Sequence, residues 1–298
     1  MIVSLRLTTR ACVYLAIVLG SSRLAATLGR DIGGQSGSHE AAVQQQSEWV
    51  EQTFQRLTLE SKIGQLIQIR YYGDYQKEGA ANYAVLRDSL QRYHIGSVVL
   101  GMHFDRSGPV RSSPVEVAQI ANELQHEVDV PLLMAADIER GVASRLSSVP
   151  SFPWPMAFGA IHSPDEVERF GAITAREARA VGIHWALAPV ADLNSNPANP
   201  VINVRSFGED PEQVGANVAA FITGAHENGM IVTAKHFPGN GDTTTDSHRA
   251  VASIDATLLH LESIEFRPFT VAISSGVDSI MLAHARVPAL AGGAPLTR

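Results

Sequence analysis

Residues 230–248 read Met-Ile-Val-Thr-Ala-Lys-His-Phe-Pro-Gly-Asn-Gly-Asp-Thr-Thr-Thr-Asp-Ser-His, an apolar run followed by a polar loop rich in Gly and Thr. The apolar run is nearly continuous, which is typical of a parallel strand covered on both faces. It ends at Lys235 and His236, and other apolar runs of the chain likewise end in a polar residue, at Asp137, Asp192 and His284. Functional groups gather at the carboxyl ends of the strands in a parallel barrel, so this pattern favours such a barrel.

Apolar runs and helical patterns alternate along the rest of the chain. The strand candidates are Ile63–Tyr71, Ser97–Met102, Pro131–Asp137, His184–Asp192, Met230–Phe237 and Ser279–Val287. Helices are predicted to begin at Ser113, Ser163 and Asp210, because each is followed by proline and then by glutamate one or two positions later.

This alternation predicts the α/β class, as either a closed barrel or an open doubly wound sheet. No Gly-x-Gly-x-x-Gly sequence opens a helix, which argues against the open sheet. We therefore expect a TIM-type (β/α)8 barrel that is incomplete in this chain, with about six of its eight strands.

The composition and net charge of the chain argue against some classes of binding partner. The chain has 298 residues, 45% of them hydrophobic, and a formal net charge of -7, which suits one large domain over residues 48–298. It has no long block of Lys or Arg, so neither nucleic acid nor an anionic membrane surface is indicated as a partner. Residues 31–47 are rich in Gly, Ser and Gln and are expected to form a flexible lead-in.

The first residues have the order of a secretory signal peptide, predicted to span 1–30. Arg6 and Arg10 precede the apolar run Ala11–Leu19, and small residues follow. The run is shorter than the roughly 20 residues that cross a bilayer, so no stable membrane anchor is expected after cleavage. The predicted location is secreted or periplasmic. Cys12 is the only cysteine, so the mature chain is expected to have no disulfide and no cysteine-based metal site.

The polar loop contains an Asp-x-His pair, Asp246 and His248. Side chains two positions apart can meet on an extended or turning segment, and a carboxylate beside an imidazole orients the ring and supports its charged form. We therefore predict that His248 donates and accepts a proton and that Asp246 is its partner. A solvated turn with a surface histidine is the alternative. A metal-dependent hydrolase is another, with ligands drawn from His236, Asp242, Asp246 and His248, although no metal is expected.

The whole block from Lys235 to His248 resembles the signature of glycoside hydrolase family 3, in its bacterial β-N-acetylglucosaminidase branch. There a Lys-His-Phe-Pro-Gly-x-Gly loop ends in Asp-Ser-His. The resemblance covers roughly residues 48–290 and is also carried by Thr58–Gln65, Asn194–Pro197, Asn199–Ile202 and Arg205–Pro211.

The resemblance implies the N-terminal barrel domain of a retaining glycosidase that removes β-linked N-acetylglucosamine without a cofactor. A peptidoglycan fragment, a chitin oligomer and another glycoside are the alternatives for the carbohydrate substrate. Asp137 would accept hydrogen bonds from sugar hydroxyls, and Arg145 and Arg205 would hold other ring hydroxyls or the N-acetyl region. Lys235 and His236 would line the sugar subsite. Surface ion pairs are the alternative for the two arginines. Whether Asp192 and Asn194 support the site or cap a turn stays open.

The chain departs from the family pattern at three places. Asn240 stands where the loop commonly has histidine, and the segment Asp137–Gly141 lacks the usual paired glycines. The family's nucleophile, an Asp after the strand that follows Ser279–Val287, is expected to lie beyond Arg298, so the chain alone is expected to be inactive or weak. Asp278 and Asp255 are poor substitutes because one precedes its strand and the other is placed at a helix start.

Two further alternatives remain open. The first is a β-glucosidase or phosphorolytic enzyme of the same family, because a neutral histidine repels phosphate less than a carboxylate acid/base does. The second is a sugar-binding protein without catalysis, which the missing nucleophile would produce.

Overall fold

The structure is a computed structural model that describes residues 36–72, 81–106, 108–245, 251–292 and 294–297. Its strands are β1 (Gln68–Tyr72), β2 (Ser97–Gly101), β3 (His103–Asp105), β4 (Gly108–Val110), β5 (Leu133–Ala136), β6 (Trp185–Ala186), β7 (Ile231–Phe237), β8 (Ala252–Ser253), β9 (Ser279–Leu282) and β10 (Ala285–Arg286). Its α-helices are α1 (Ser36–Arg56), α2 (Leu59–Gly64), α3 (Ala81–Tyr93), α4 (Pro114–His126), α5 (Pro155–Ile161), α6 (Pro164–Ala180), α7 (Pro211–His226), α8 (Leu258–His260), α9 (Phe266–Ser274) and α10 (Pro288–Ala291). A π-helical turn, Leu261–Glu265, joins α8 to α9, and short 3₁₀ turns cover Val142–Ser144 and Asn203–Arg205.

The main sheet of the described residues has six strands in the order β1-β2-β5-β6-β7-β9. Every neighbouring pair is parallel, and helices connect successive strands, as in a (β/α)8 barrel. The sheet is therefore an incomplete (β/α)8 barrel, and the predicted fold class is confirmed. Two small ribbons accompany it, the antiparallel pair β3–β4 and the parallel pair β8–β10.

The two faces of the sheet bury different residues because strand side chains alternate with period two. One face packs under the helices and includes Val98, Met134, Ala186 and Val232. The other face forms the barrel interior and includes Val99, Ala135, Trp185 and Leu187. A chain of hydrogen bonds crosses this interior, from Trp185 Nε1 to Thr233 Oγ1 at 2.7 Å and between the hydroxyls of Thr233 and Ser279 at 2.7 Å.

The predicted helix starts agree with the structure. Ser113 caps α4 with a capping box, in which its Oγ accepts from Glu116 N at 3.3 Å and its own N–H donates to Glu116 Oε2 at 2.6 Å. Asp210 caps α7 through Gln213 N at 2.8 Å. Ser163 precedes α6 as expected, but its side chain makes no capping bond.

Some predicted strand bounds were wrong because local helix and turn signals override apolar runs. Ile63 lies in α2, which begins because Thr58 Oγ1 accepts from Ser61 N at 3.1 Å, and β1 starts only at Gln68. The run His184–Asp192 contributes just the two residues of β6, and Ser279–Val287 divides into β9 and β10.

The lead-in predicted to be flexible is helical from Ser36 onward, because Ala, Gln and Glu in this segment are strong helix formers. The predicted signal peptide, residues 1–30, lies outside the described residues. Within the described ranges, no helix combines the length and the apolar character needed to cross a membrane.

Helices α6 and α7 approach closely at Gly224, where a Cβ atom would lie 1.9 Å from Glu168 O. We expect Gly224→Ala to lower the free energy of unfolding by about 1–3 kcal/mol, because the helices must separate. Gly215→Ala in the same helix is the matched control, since its Cβ would meet only the Val271 side chain, at 3.1 Å. Urea denaturation measures both, and an equal loss in the two variants would contradict the close-approach explanation.

Candidate active site

A cleft of about 530 Å³ lies at the carboxyl ends of the sheet strands. This is the end of a parallel barrel where active sites form. The structure brings together in its lining all five residues predicted to bind substrate, which are Asp137, Arg145, Arg205, Lys235 and His236. They come from the segments that follow β5 and β6 and from β7 itself, so the strand order places them side by side.

The Lys235 ammonium group is the centre of an ionic network in this cleft. Its Nζ lies 2.8 Å from Asp137 Oδ1 and 2.7 Å from Glu139 Oε1, and the lysine side chain is only 2% exposed. A buried ammonium group is costly unless carboxylates and hydrogen bonds compensate for lost water. Two carboxylates from the end of β5 provide that compensation.

Two arginines complete the network. Arg145 Nη2 lies 2.9 Å from Asp137 Oδ2. Arg205 binds Glu139 in a bidentate fashion, with Nε and Nη2 each 2.8 Å from a carboxylate oxygen. The ion pairs considered as an alternative do form, but they line the cleft and are partly buried instead of lying on the outer surface.

These contacts set the protonation states of the network. Burial works to raise the pKa of Asp137, but Lys235 and Arg145 outweigh it and lower the pKa to about 2. Burial also opposes ionisation of Glu139, yet Lys235 and Arg205 hold the pKa of that carboxyl well below its usual range. At neutral pH the carboxylates can therefore only accept hydrogen bonds and the cations can only donate them. A sugar hydroxyl does both, so this arrangement can fix several hydroxyls at once.

Asp192 anchors the end of β7 to the segment after β6. This buried carboxylate accepts from the backbone N–H of His236 at 3.1 Å and from that of Asn240 at 2.7 Å. Its Oδ2 also lies 2.7 Å from His236 Nδ1. Of the two roles considered for Asp192, support of the site and the capping of a turn, the structure therefore favours support of the site. For Asn194, Oδ1 has no hydrogen-bond partner within the described residues, and the structure gives this side chain no role in the site.

The start of the polar loop is held by Asn199. Its Nδ2 donates to Asn240 O at 2.8 Å and to Gly241 O at 2.9 Å. Gly241 is needed here because a Cβ atom would lie 1.7 Å from Leu193 O. Asp246 and His248 lie outside the described residues.

Sequence reasoning did not assign a role to Glu139 or Glu265. Glu139 could have been predicted from the sequence. It lies two positions after the candidate Asp137, and side chains two apart on an extended segment point to the same side. No sequence pattern points to Glu265, because it lies in the π-helical turn and only the fold brings it against the polar loop. It is buried, its Oε1 accepts from Ser195 Oγ at 3.3 Å, and burial, followed by Asp192 and Asp242, raises its pKa to about 7.

The structure also bears on the residues considered as alternatives. Asp278 accepts from Val232 N at 2.8 Å and lies 2.7 Å from His226 Nε2, at the amino end of β9 and so at the opposite end of the sheet from the cleft. Within the described ranges, no group of three or more His, Cys, Asp or Glu side chains is placed to hold a metal ion.

Comparison of the sequence with known protein families identifies the family of the chain. The sequence profile of the Glycosyl hydrolase family 3 N terminal domain matches residues 58–297. The chain belongs to glycosyl hydrolase family 3. The resemblance to this family, expected from the polar loop, is thereby confirmed, and the residues of the cleft network lie inside the matched segment.

Relatives within family 3 have names that point to amino sugars. A beta-N-acetylglucosaminidase/beta-glucosidase of Cellulomonas fimi is 31% identical over 243 residues, which are 81% of this chain and 40% of the relative. Beta-hexosaminidase A of Pseudoalteromonas piscicida is 33% identical over 78% of this chain and 42% of its own. A solved family 3 beta-N-acetylglucosaminidase from Paenibacillus sp. strain FPU-7 has 36% identity and a TM-score of 0.70, over 78% of this chain and 43% of that chain. The chain thus spans about two fifths of the length of these relatives.

The lowered pKa of Asp137 predicts a pH-dependent contribution to stability. Since the pKa falls from 3.8 to about 2 on folding, the stabilisation is complete above the unfolded value and is lost as pH falls towards about 2. We expect the difference in unfolding free energy between the parent and Asp137→Asn to shrink by about 2 kcal/mol from about pH 5.5 to about pH 2. Urea denaturation at each pH measures it, and a constant difference would contradict this assignment.

Proposed function

We propose that the cleft binds a terminal β-linked N-acetylglucosamine and that the protein acts as a retaining glycoside hydrolase. The observation that carries the proposal is the network of Lys235 with two carboxylates and two arginines, set in a cleft at the strand ends. Its fixed acceptors and donors match the hydroxyls and the amide of this sugar. The names of the family 3 relatives support the same sugar.

His248 is the proposed acid/base and Asp246 the residue that orients its ring. The loop that carries them begins directly after β7, and its described first part is held at Asn240 and Gly241 by Asp192 and Asn199. In the first step His248 protonates the glycosidic oxygen while a carboxylate attacks the anomeric carbon, so that the glycosidic bond breaks and a glycosyl-enzyme ester forms. In the second step His248 takes a proton from a water molecule whose oxygen attacks the anomeric carbon, and the ester bond breaks to release the sugar and the carboxylate. That the attacking carboxylate lies beyond Arg298 stays a prediction.

The proposal includes the location of the protein and the source of its substrate. A secreted or periplasmic location, expected from residues 1–30, would bring the cleft to the polymers that contain this sugar. Peptidoglycan fragments and chitin oligomers are the candidate substrates.

Sugar binding tests the cleft itself. We expect Arg145→Gln to weaken the affinity for N-acetylglucosamine by about 10- to 100-fold, because one charge-assisted hydrogen bond is lost and Asp137 loses a partner. Arg169→Gln, on the exposed side of α6, is the matched control and should bind like the parent. Calorimetry measures both, with glucose as the competing ligand. Equal affinity of the Arg145 variant and the parent would contradict the assignment, and tighter binding of glucose would favour a β-glucosidase.

Turnover tests the acid/base. In a catalytically active polypeptide that contains residues 48–298, we expect His248→Ala to lower kcat by roughly 10²- to 10⁴-fold, because proton transfer to the leaving group is lost. His126→Ala, at an exposed position near the end of α4, is the control. Release of 4-nitrophenol from 4-nitrophenyl N-acetyl-β-D-glucosaminide is the measurement. Unchanged turnover in the His248 variant would remove the proposed role, and product analysis with added phosphate would reveal phosphorolysis.

A further inference from the structure

The cleft carries more positive charge than the sugar network uses. Six cationic side chains line it against the two carboxylates Asp137 and Glu139, which leaves four positive charges uncompensated, while the whole chain has a net charge of -7. Arg145, Arg205 and Lys235 are the cations of the network. The other three are Arg70, Arg111 and Arg140, which we call the arginine rim.

The arginine rim has no anionic partner among the residues that the structure describes. Arg111 Nε is buried and makes no hydrogen bond there. The Arg140 guanidinium lies 4.8 Å from the ring centre of Trp154, which is 40% exposed and also lines the cleft. A buried donor without a partner costs free energy, so a ligand that accepts from it is stabilised.

The rim lies on one flank of the cleft. Arg70 is in β1, Arg111 follows the β3–β4 ribbon after β2, and Arg140 follows β5, and these strands are neighbours in the sheet. Lys235 lies in β7, two strands beyond β5. The rim therefore flanks the Lys235 network on its β1 side, in the same cleft.

We propose that the arginine rim is a subsite for an oxyanion, a carboxylate or phosphate, carried by the group attached to the glycosidic oxygen. The inference rests on the proposed function, because it places the sugar at the Lys235 network. N-acetylglucosamine is neutral and does not require the excess charge, whereas guanidinium groups pair well with carboxylate and phosphate oxygens. Trp154 offers an exposed aromatic face beside Arg140 for the apolar side of the same group.

Two matched probes test this subsite. They are the 4-carboxyphenyl and 4-carbamoylphenyl 1-thio-β-N-acetylglucosaminides, which differ only in charge and resist hydrolysis. By calorimetry at low salt we expect the acidic probe to bind at least about tenfold more tightly. This preference should shrink as salt rises from about 0.02 to about 0.3 M, because ions screen the rim.

Substitutions in the arginine rim test whether the rim causes the preference for the acidic probe. In Arg70→Gln, Arg111→Gln and the double variant we expect the ratio of the two affinities to fall towards one, while measurable binding of the neutral probe shows that each variant is folded. Arg169→Gln, outside the cleft, should keep the parent ratio. A ratio near one in the parent, or a full preference retained in the double variant, would overturn the proposal.

Inorganic phosphate separates the two sources of an oxyanion. We expect phosphate at about 10 mM to weaken binding of the acidic probe and not of the neutral one, because both anions share the rim. If phosphate binds and the parent does not distinguish the probes, the rim serves free phosphate and the assignment to the attached group is wrong. Binding of neither probe would overturn the proposed function, and this inference with it.

Discussion

A buried ammonium group, that of Lys235, is held between two carboxylates that themselves need cations. Lys235 Nζ contacts both Asp137 and Glu139, and each carboxylate also binds one arginine. Removing one member leaves an uncompensated charge in a region with little water, which costs more than the pair contributes when complete. The network is thus a condition for the folded cleft as well as for its proposed ligand.

The barrel supplies the positions that this network requires. Parallel strands deliver their carboxyl ends to one side, so residues 98 positions apart in sequence, Asp137 and Lys235, meet within hydrogen-bond distance. The parallel α/β class and the gathering of the five candidate residues in one cleft therefore follow from where apolar runs end in polar residues and from the family signature, while their role in sugar binding stays a prediction. Period-two alternation similarly separates the face under the helices from the barrel interior.

Other features depend on contacts that sequence patterns do not contain. Ile63 is apolar and follows the strand pattern, but the cap at Thr58 commits it to a helix. Asp192 was equally compatible with a turn, and only the fold brings the backbone of His236 and Asn240 to its oxygens. Glu265 comes from a π-helical turn with no motif of its own, yet it lies against the loop glycine Gly239, where a Cβ atom would be 2.5 Å from its carboxylate.

The sharing of Lys235 between two acids has an evolutionary consequence. A change of sign or length at any one of the five members leaves its neighbours mismatched, so we expect a change of sugar preference to require coordinated changes at several of these positions. Arg70 and Arg111 form no ion pair with another described residue, so a change at either leaves no charged partner behind. Diversification within this lineage should therefore concentrate on the flank of the cleft and leave its centre unchanged.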